Sequence, residues 1–180
     1  MQALLKVSVL ALSIGYPFMV FWGLQHYDAQ FLLPVLLTLL GLRWLSGAGS
    51  SERNVILATL LGVVGIMFFW GQQLGLKFYP VMMNAGFLVV FASSLLSPPT
   101  VIERFARLQE PDLPAEGVAY TRKVTWVWCG FFLLNGMIAA STAVWMTDEA
   151  WMLYNGLIAY LLIGALVVGE WLVRRWVRRA

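Results

Sequence analysis

One histidine, His26, and one cysteine, Cys129, are the only imidazole and thiol in a chain of 180 residues. A thiol–imidazole pair is the nucleophile–base combination they could form. The predicted spans separate them in membrane depth. One cysteine leaves no disulfide within the chain, and this pair of residues cannot build a Cys/His metal cluster. Carboxylates are scarce too. Asp148 and Glu149 share a short connection, and Glu170 stands four residues before Arg174, the spacing of a helical ion pair. No cofactor is expected, and the chain does not read as an enzyme. The remaining polar candidates are two amides inside apolar runs, Asn84 and Asn135. An amide facing lipid is costly, so both should face neighbouring helices. Hydrogen bonding between helices is the plain reading, and a polar substrate site the sharper one.

The elements that position these groups follow from composition. Hydrophobic residues make up 61% of the chain and charged residues 12%, against roughly 25% charged in soluble domains. The mean hydropathy is +0.78. So few charges cannot cover a soluble fold of this size, which points to an all-α integral membrane protein. Charge-free runs cover 7–27, 29–42, 54–76, 78–102, 124–147 and 150–169. They predict a bundle of six transmembrane helices at about 5–24, 29–45, 54–72, 78–97, 124–146 and 151–173, forming a single domain. The second span is short. It reaches full length only if Arg43 snorkels to the interface, and a re-entrant hairpin of the first two spans is the rival. Pro17 should kink the first span. That span has the look of a signal peptide but lacks a small-residue cleavage site, so it reads as uncleaved.

Orientation comes from Lys and Arg. With a cytoplasmic N-terminus, eleven of the twelve basic residues fall inside and only Lys77 outside. Both termini are then cytoplasmic. The net charge of +3 sits beside apolar spans, which argues for a bilayer and against nucleic acid as the partner. All nine tryptophans fall near span ends. Trp22, Trp70, Trp145 and Trp151 would mark the outer belt, with the other five in the inner one. Small-xxx-small pairs at Gly136/Ala140 and Ala165/Gly169 permit close helix approach.

Residues 98–123 form the longest connection. Pro98-Pro99 stops the fourth span, and Thr100 to Glu103 has capping-box form. Val101, Ile102, Phe105 and Leu108 recur at helical spacing, with Glu103, Arg104, Arg107 and Glu110 on the other side. Pro111 should end this helix and Pro114 should keep the adjoining chain extended. The prediction is a short cytoplasmic amphipathic helix between the fourth and fifth spans. It would lie on the membrane face as a connector, or as a contact surface for a partner or for lipid headgroups through Val101, Ile102, Arg104, Phe105, Arg107 and Leu108.

Several short stretches, in order, resemble the bacterial intracellular septation protein A family of inner-membrane proteins. They include Phe18, Phe21, Leu24 and Tyr27-Asp28 at the first hairpin, and Lys77-Phe78 opening the fourth span. Pro99, Ile102-Glu103-Arg104 and Leu113-Pro114 follow in the basic loop. Trp126-Val127-Trp128-Cys129-Gly130-Phe131-Phe132 and Gly136 lie in the fifth span, and Trp151 with Tyr154 opens the sixth. The chain departs from the family's Trp-Val-Asn-Phe-Lys in having Trp151-Met152-Leu153-Tyr154-Asn155, which loses the basic position and resembles a divergent branch. The resemblance implies a non-enzymatic inner-membrane role in envelope biogenesis, elongation or division. Its implied partners are membrane lipids, other inner-membrane envelope proteins and further copies of the chain. Divergent relatives are associated with aryl polyene clusters, which implies the alternative of a carrier or accessory protein for a hydrophobic envelope molecule.

Overall fold

A computed structural model describes residues 2–27, 29–45 and 50–177, and these are helical almost throughout, with no strand among the described residues. Asp28, Arg178 and Arg179 lie outside the described residues, as do the side chains of Lys6 and Trp176. The helices are α1 (Gln2–His26), α2 (Leu33–Leu45, after a 3-10 turn at Ala29–Leu32), α3 (Ser50–Trp70), α4 (Gln72–Lys77) and α5 (Tyr79–Leu96). They continue with α6 (Val101–Arg107), α7 (Ala115–Trp145), α8 (Asp148–Leu153), a π-helical turn at Tyr154–Ile158, and α9 (Ala159–Val177). Among the described residues, four stretches are long and apolar enough to cross a membrane: Arg53–Trp70, Tyr79–Leu96, Ala115–Trp145 and Asp148–Arg175. Much of their apolar surface faces outward. Leu61, Phe68, Phe69, Val89 and Leu161 are all exposed. So much outward apolar surface is stable only against lipid.

The packing is antiparallel and guided by small residues. A Cβ on Gly62 would strike Met82, and one on Gly86 would strike Val55, which pairs α3 with α5 in opposite directions. Gly136 of α7 sits against Asn84 of α5, where a Cβ would be 3.1 Å from the Asn84 Cβ. Aromatic rings extend this seam: Phe87 stacks on Phe132 at 5.3 Å, and Phe91 meets the same ring edge-on at 5.1 Å. Gly169, the other expected contact point, would meet nothing within 4 Å if it carried a Cβ, so the Ala165/Gly169 pair makes no such approach.

Several expected boundaries move. The third span ends at Trp70, and Gly71 breaks it with φ +94° and ψ 161°, a conformation suited to glycine alone. Helix α4 then fills what looked like a bare connection, and it packs Gly75 against Met67 and Val63 of α3. Helix α1 runs on through Pro17. Helix α2 has 13 residues, about 20 Å of α-helix against a hydrocarbon core of about 30 Å. Arg43 does not lengthen it by snorkelling outward. Its guanidinium lies 5.6 Å from the ring of Phe87, halfway along α5.

The fifth span begins nine residues before the expected 124. Pro114, expected to keep the chain extended, is instead the N-cap of the 31-residue α7. Its own backbone is extended and its ring cannot continue a helix backward, so a helix can only start after it. Glu116 in the first turn favours that start.

Candidate functional site

Three groups of polar side chains are positioned by this bundle. The first is the amide pair. Asn135 donates through Nδ2 to Asn84 Oδ1 at 3.0 Å, and Tyr154 donates its hydroxyl proton to Asn135 Oδ1 at 2.8 Å. Asn84 donates in turn to the Pro80 carbonyl at 2.8 Å. One step away, Asn155 donates to Thr142 Oγ1 at 3.1 Å and to the Trp151 carbonyl at 2.9 Å. These bonds tie α5, α7 and the π-turn together. The two amides direct their hydrogen bonds to one another and to neighbouring helices.

The second group closes the end of the bundle where Lys77 lies. Lys77 is buried and donates to Asp148 in an ion pair between the end of α4 and the start of α8. Gln73 donates to the other Asp148 oxygen at 3.4 Å. The carbonyl of Lys77 accepts from Trp151 Nε1 at 3.1 Å, and the adjacent carbonyl of Leu76 accepts from the Tyr16 hydroxyl at 3.0 Å. Trp151, expected in an interfacial belt, is therefore 0% exposed. Its indole N–H needs an acceptor when buried, and the end of α4 supplies one. Trp22, Trp70 and Trp145 are exposed, as belt residues are. The sequence carried a signal for this pair: Lys77 is the lone cation expected on its side, and Asp148 is an acid of the next connection on that side.

The third group surrounds α6. The capping box forms: Thr100 Oγ1 accepts from the Glu103 amide at 3.2 Å, and Glu103 Oε2 accepts from the Thr100 amide at 3.4 Å. Glu103 also holds Arg107, which donates from Nε at 2.9 Å and from Nη2 at 2.8 Å. Glu103 was expected on the solvated side but is only 5% exposed. Its two partners compensate for the loss of water. Arg107 is tied further, donating to the Pro111 carbonyl at 3.0 Å. The helix stops at Arg107, before the expected Pro111, and Leu108 caps it. Val101 and Ile102 are half-buried, and the Val101 amide donates to Ser94 Oγ at 3.1 Å. Phe105 is 63% and Leu108 80% exposed, so the apolar side of α6 is turned partly outward. Arg104 is exposed, donating to the Pro99 carbonyl at 3.0 Å.

Beside α6 a cavity of about 620 Å³ opens between it, the first turns of α7 and the last turns of α9. Ile102, Phe105 and Ala106 form one wall. Leu113, Tyr120, Val124 and Trp128 line the α7 side, and Val167, Glu170 and Arg174 the α9 side. Tyr120 donates to the Glu170 carbonyl at 3.4 Å, and the expected Glu170–Arg174 pair forms loosely at 3.9 Å. Asn84 and Asn135 take no part in this lining, which comes chiefly from residues outside the sequence candidates. The unexpected N-terminal extension of α7 creates it.

His26 donates from Nδ1 to the Trp22 carbonyl at 2.8 Å, at the exposed end of α1, while Cys129 is buried in α7. Among the described residues no group of three or more His, Cys, Asp or Glu side chains could hold a metal ion. No protein-family model matches the chain, and neither the curated proteins nor the solved structures give a significant match.

Proposed function

We propose that the chain is a six-pass protein of the bacterial inner membrane with both termini cytoplasmic. In this reading it is a divergent relative of the septation protein A family and supports envelope assembly, elongation or division by contact rather than catalysis. The Lys/Arg asymmetry supports the orientation, since eleven of twelve basic residues then lie inside. The second pass is the thinnest, formed by α2 with the preceding 3-10 turn. The observation that carries the contact role is the outward-turned surface of α6. Arg104, Phe105 and Leu108 are all exposed there beside a firmly capped helix. A rigid apolar and basic knob suits recognition by other inner-membrane proteins or by the lipid surface.

The cavity favours a second reading, an accessory protein or carrier for a hydrophobic envelope molecule. Transport through the bundle would draw on polar groups at depth, yet Asn84 and Asn135 are bonded to each other away from that cavity. The contact reading is therefore preferred.

Arg104→Glu combined with Leu108→Ser tests it. Arg107 is left intact, because a carboxylate in its place would face Glu103. Membrane insertion should be unchanged, while complementation of a deletion strain and recovery of co-purifying envelope proteins should fall. Full complementation with an unchanged set of partners would reduce α6 to a connector.

A further inference from the structure

The cavity beside α6 is graded in polarity, and two helices agree on the gradient. On α7, Val124 and Trp128 lie at the inner end and Glu116 about 12 Å nearer the helix start. On α9, Val167 lies at the inner end and Arg174 about 10 Å nearer the helix terminus. Phe105 and Val167 are exposed at the lip, so the apolar part is open to the side. Its volume falls within the roughly 300–1,000 Å³ of ordinary small-ligand sites. An occupant must therefore be amphiphilic, with a hydrocarbon part beside Trp128 and a polar part beside Glu116 and Arg174.

The charges choose the polar part. Glu110, Glu116 and Glu170 stand against Arg174 alone in the lining. A singly anionic headgroup would meet more carboxylate than guanidinium. An uncharged alcohol headgroup would answer neither. A headgroup with both a phosphate and a primary ammonium answers both. The Arg174 guanidinium engages Glu170 only loosely at 3.9 Å and has five N–H donors for a phosphate. Glu116, exposed in the first turn of α7, can accept from an ammonium. We propose that this cavity binds one phospholipid of the phosphatidylethanolamine type, with one acyl chain against Val124, Trp128 and Val167. The proposal rests on the membrane reading above and adds the class of lipid to the surface described there.

Native mass spectrometry tests it on the full chain purified in mild detergent. The probe is an equimolar mixture of phosphatidylethanolamine and phosphatidylglycerol with matched chains. One phosphatidylethanolamine should be retained over phosphatidylglycerol by about tenfold, near what one hydrogen bond to a charged group contributes. Ala106→Trp, which fills the cavity, should abolish that retention. Glu116→Gln with Glu170→Gln should bring the two lipids close to parity while leaving the apolar walls intact, so the test survives if Ala106→Trp fails to fold. Equal retention or a phosphatidylglycerol preference in the unaltered protein would overturn the proposal. So would full retention by a folded Ala106→Trp protein, which would mark the lipid as part of the general annulus. Release of the protein from membranes by alkaline carbonate without detergent would overturn the membrane reading itself, and the lipid site with it.

Discussion

Replacing Asn135 by leucine removes two hydrogen bonds at once, the one it donates to Asn84 and the one it accepts from Tyr154. Asn135 is buried, so no water takes over. Interhelical hydrogen bonds in membrane proteins average about 0.6 kcal/mol, with the strongest near 1.7. The two lost bonds then amount to about 1.2 kcal/mol. The stranded Tyr154 hydroxyl, also buried, adds a desolvation cost of about 1 kcal/mol. An expected loss near 2 kcal/mol lowers the melting temperature by roughly 4–8 °C for a chain this long. Thermal unfolding in a single detergent reads this directly. The sharper measurement is a cycle with Tyr154→Phe. In the unaltered protein that change breaks a bond and should destabilise. In the Asn135→Leu background it removes a hydroxyl with nothing to bond, and should be neutral or stabilising. An unchanged melting temperature for Asn135→Leu, or an equal cost of Tyr154→Phe in both backgrounds, would refute the bridging role.

Gly71→Ala should cost about 1–3 kcal/mol in the same assay because φ +94° with ψ 161° excludes a Cβ. Gly65→Ala, in α3 with nothing within 4 Å of the added Cβ, should be neutral or stabilising. Lys77→Met leaves Asp148 without its ion-pair partner and should cost on the order of 1–3 kcal/mol, less than the 3–5 of a fully buried pair. Adding Asp148→Asn should recover part of that loss, and failure to recover any would show that the two groups do not act together. Reporter fusions at Ser50 and Ala180 should read the same side of the membrane and a fusion at Lys77 the opposite one, and disagreement between the first two would break the even-pass topology.

The elements that announced themselves were those governed by local chemistry. Thr100 and Glu103 read as a capping box because both partners lie within one turn, and Glu103–Arg107 and Glu170–Arg174 read as pairs for the same reason. Long apolar runs likewise marked the four stretches able to cross a membrane. The features that stayed hidden depended on partners distant in sequence. Trp151 looked interfacial because indole near a span end usually is, but an acceptor 74 residues away pulls it inward. Glu103 looked solvated because its helix side carries other charges. Helices this uniformly apolar have no clear stripe, so hydropathy locates them without saying which face meets which neighbour. The cavity was invisible for the same reason, since its walls come from three helices and its depth depends on α7 starting at Ala115.

The π-helical turn at Tyr154–Ile158 also sets the phase of everything after it. Tyr154, Asn155 and Gly156 are all buried in succession, where an α-helix would fan three consecutive residues over about 200°. The turn holds one residue more than an α-helical turn would, and that surplus separates two registers. Before it, Trp151 faces inward beneath the carbonyl of Lys77. After it, the Glu170 carbonyl meets Tyr120, and Arg174 lines the cavity. Removing one residue here would restore the α-helical winding and swing the whole of α9 by about 100° relative to α8. The Lys77 end would keep its closure while the far end lost its cavity wall. A single residue of chain length thus acts as an angular adjustment between the two ends of the molecule, and it lets either end change without dictating the other.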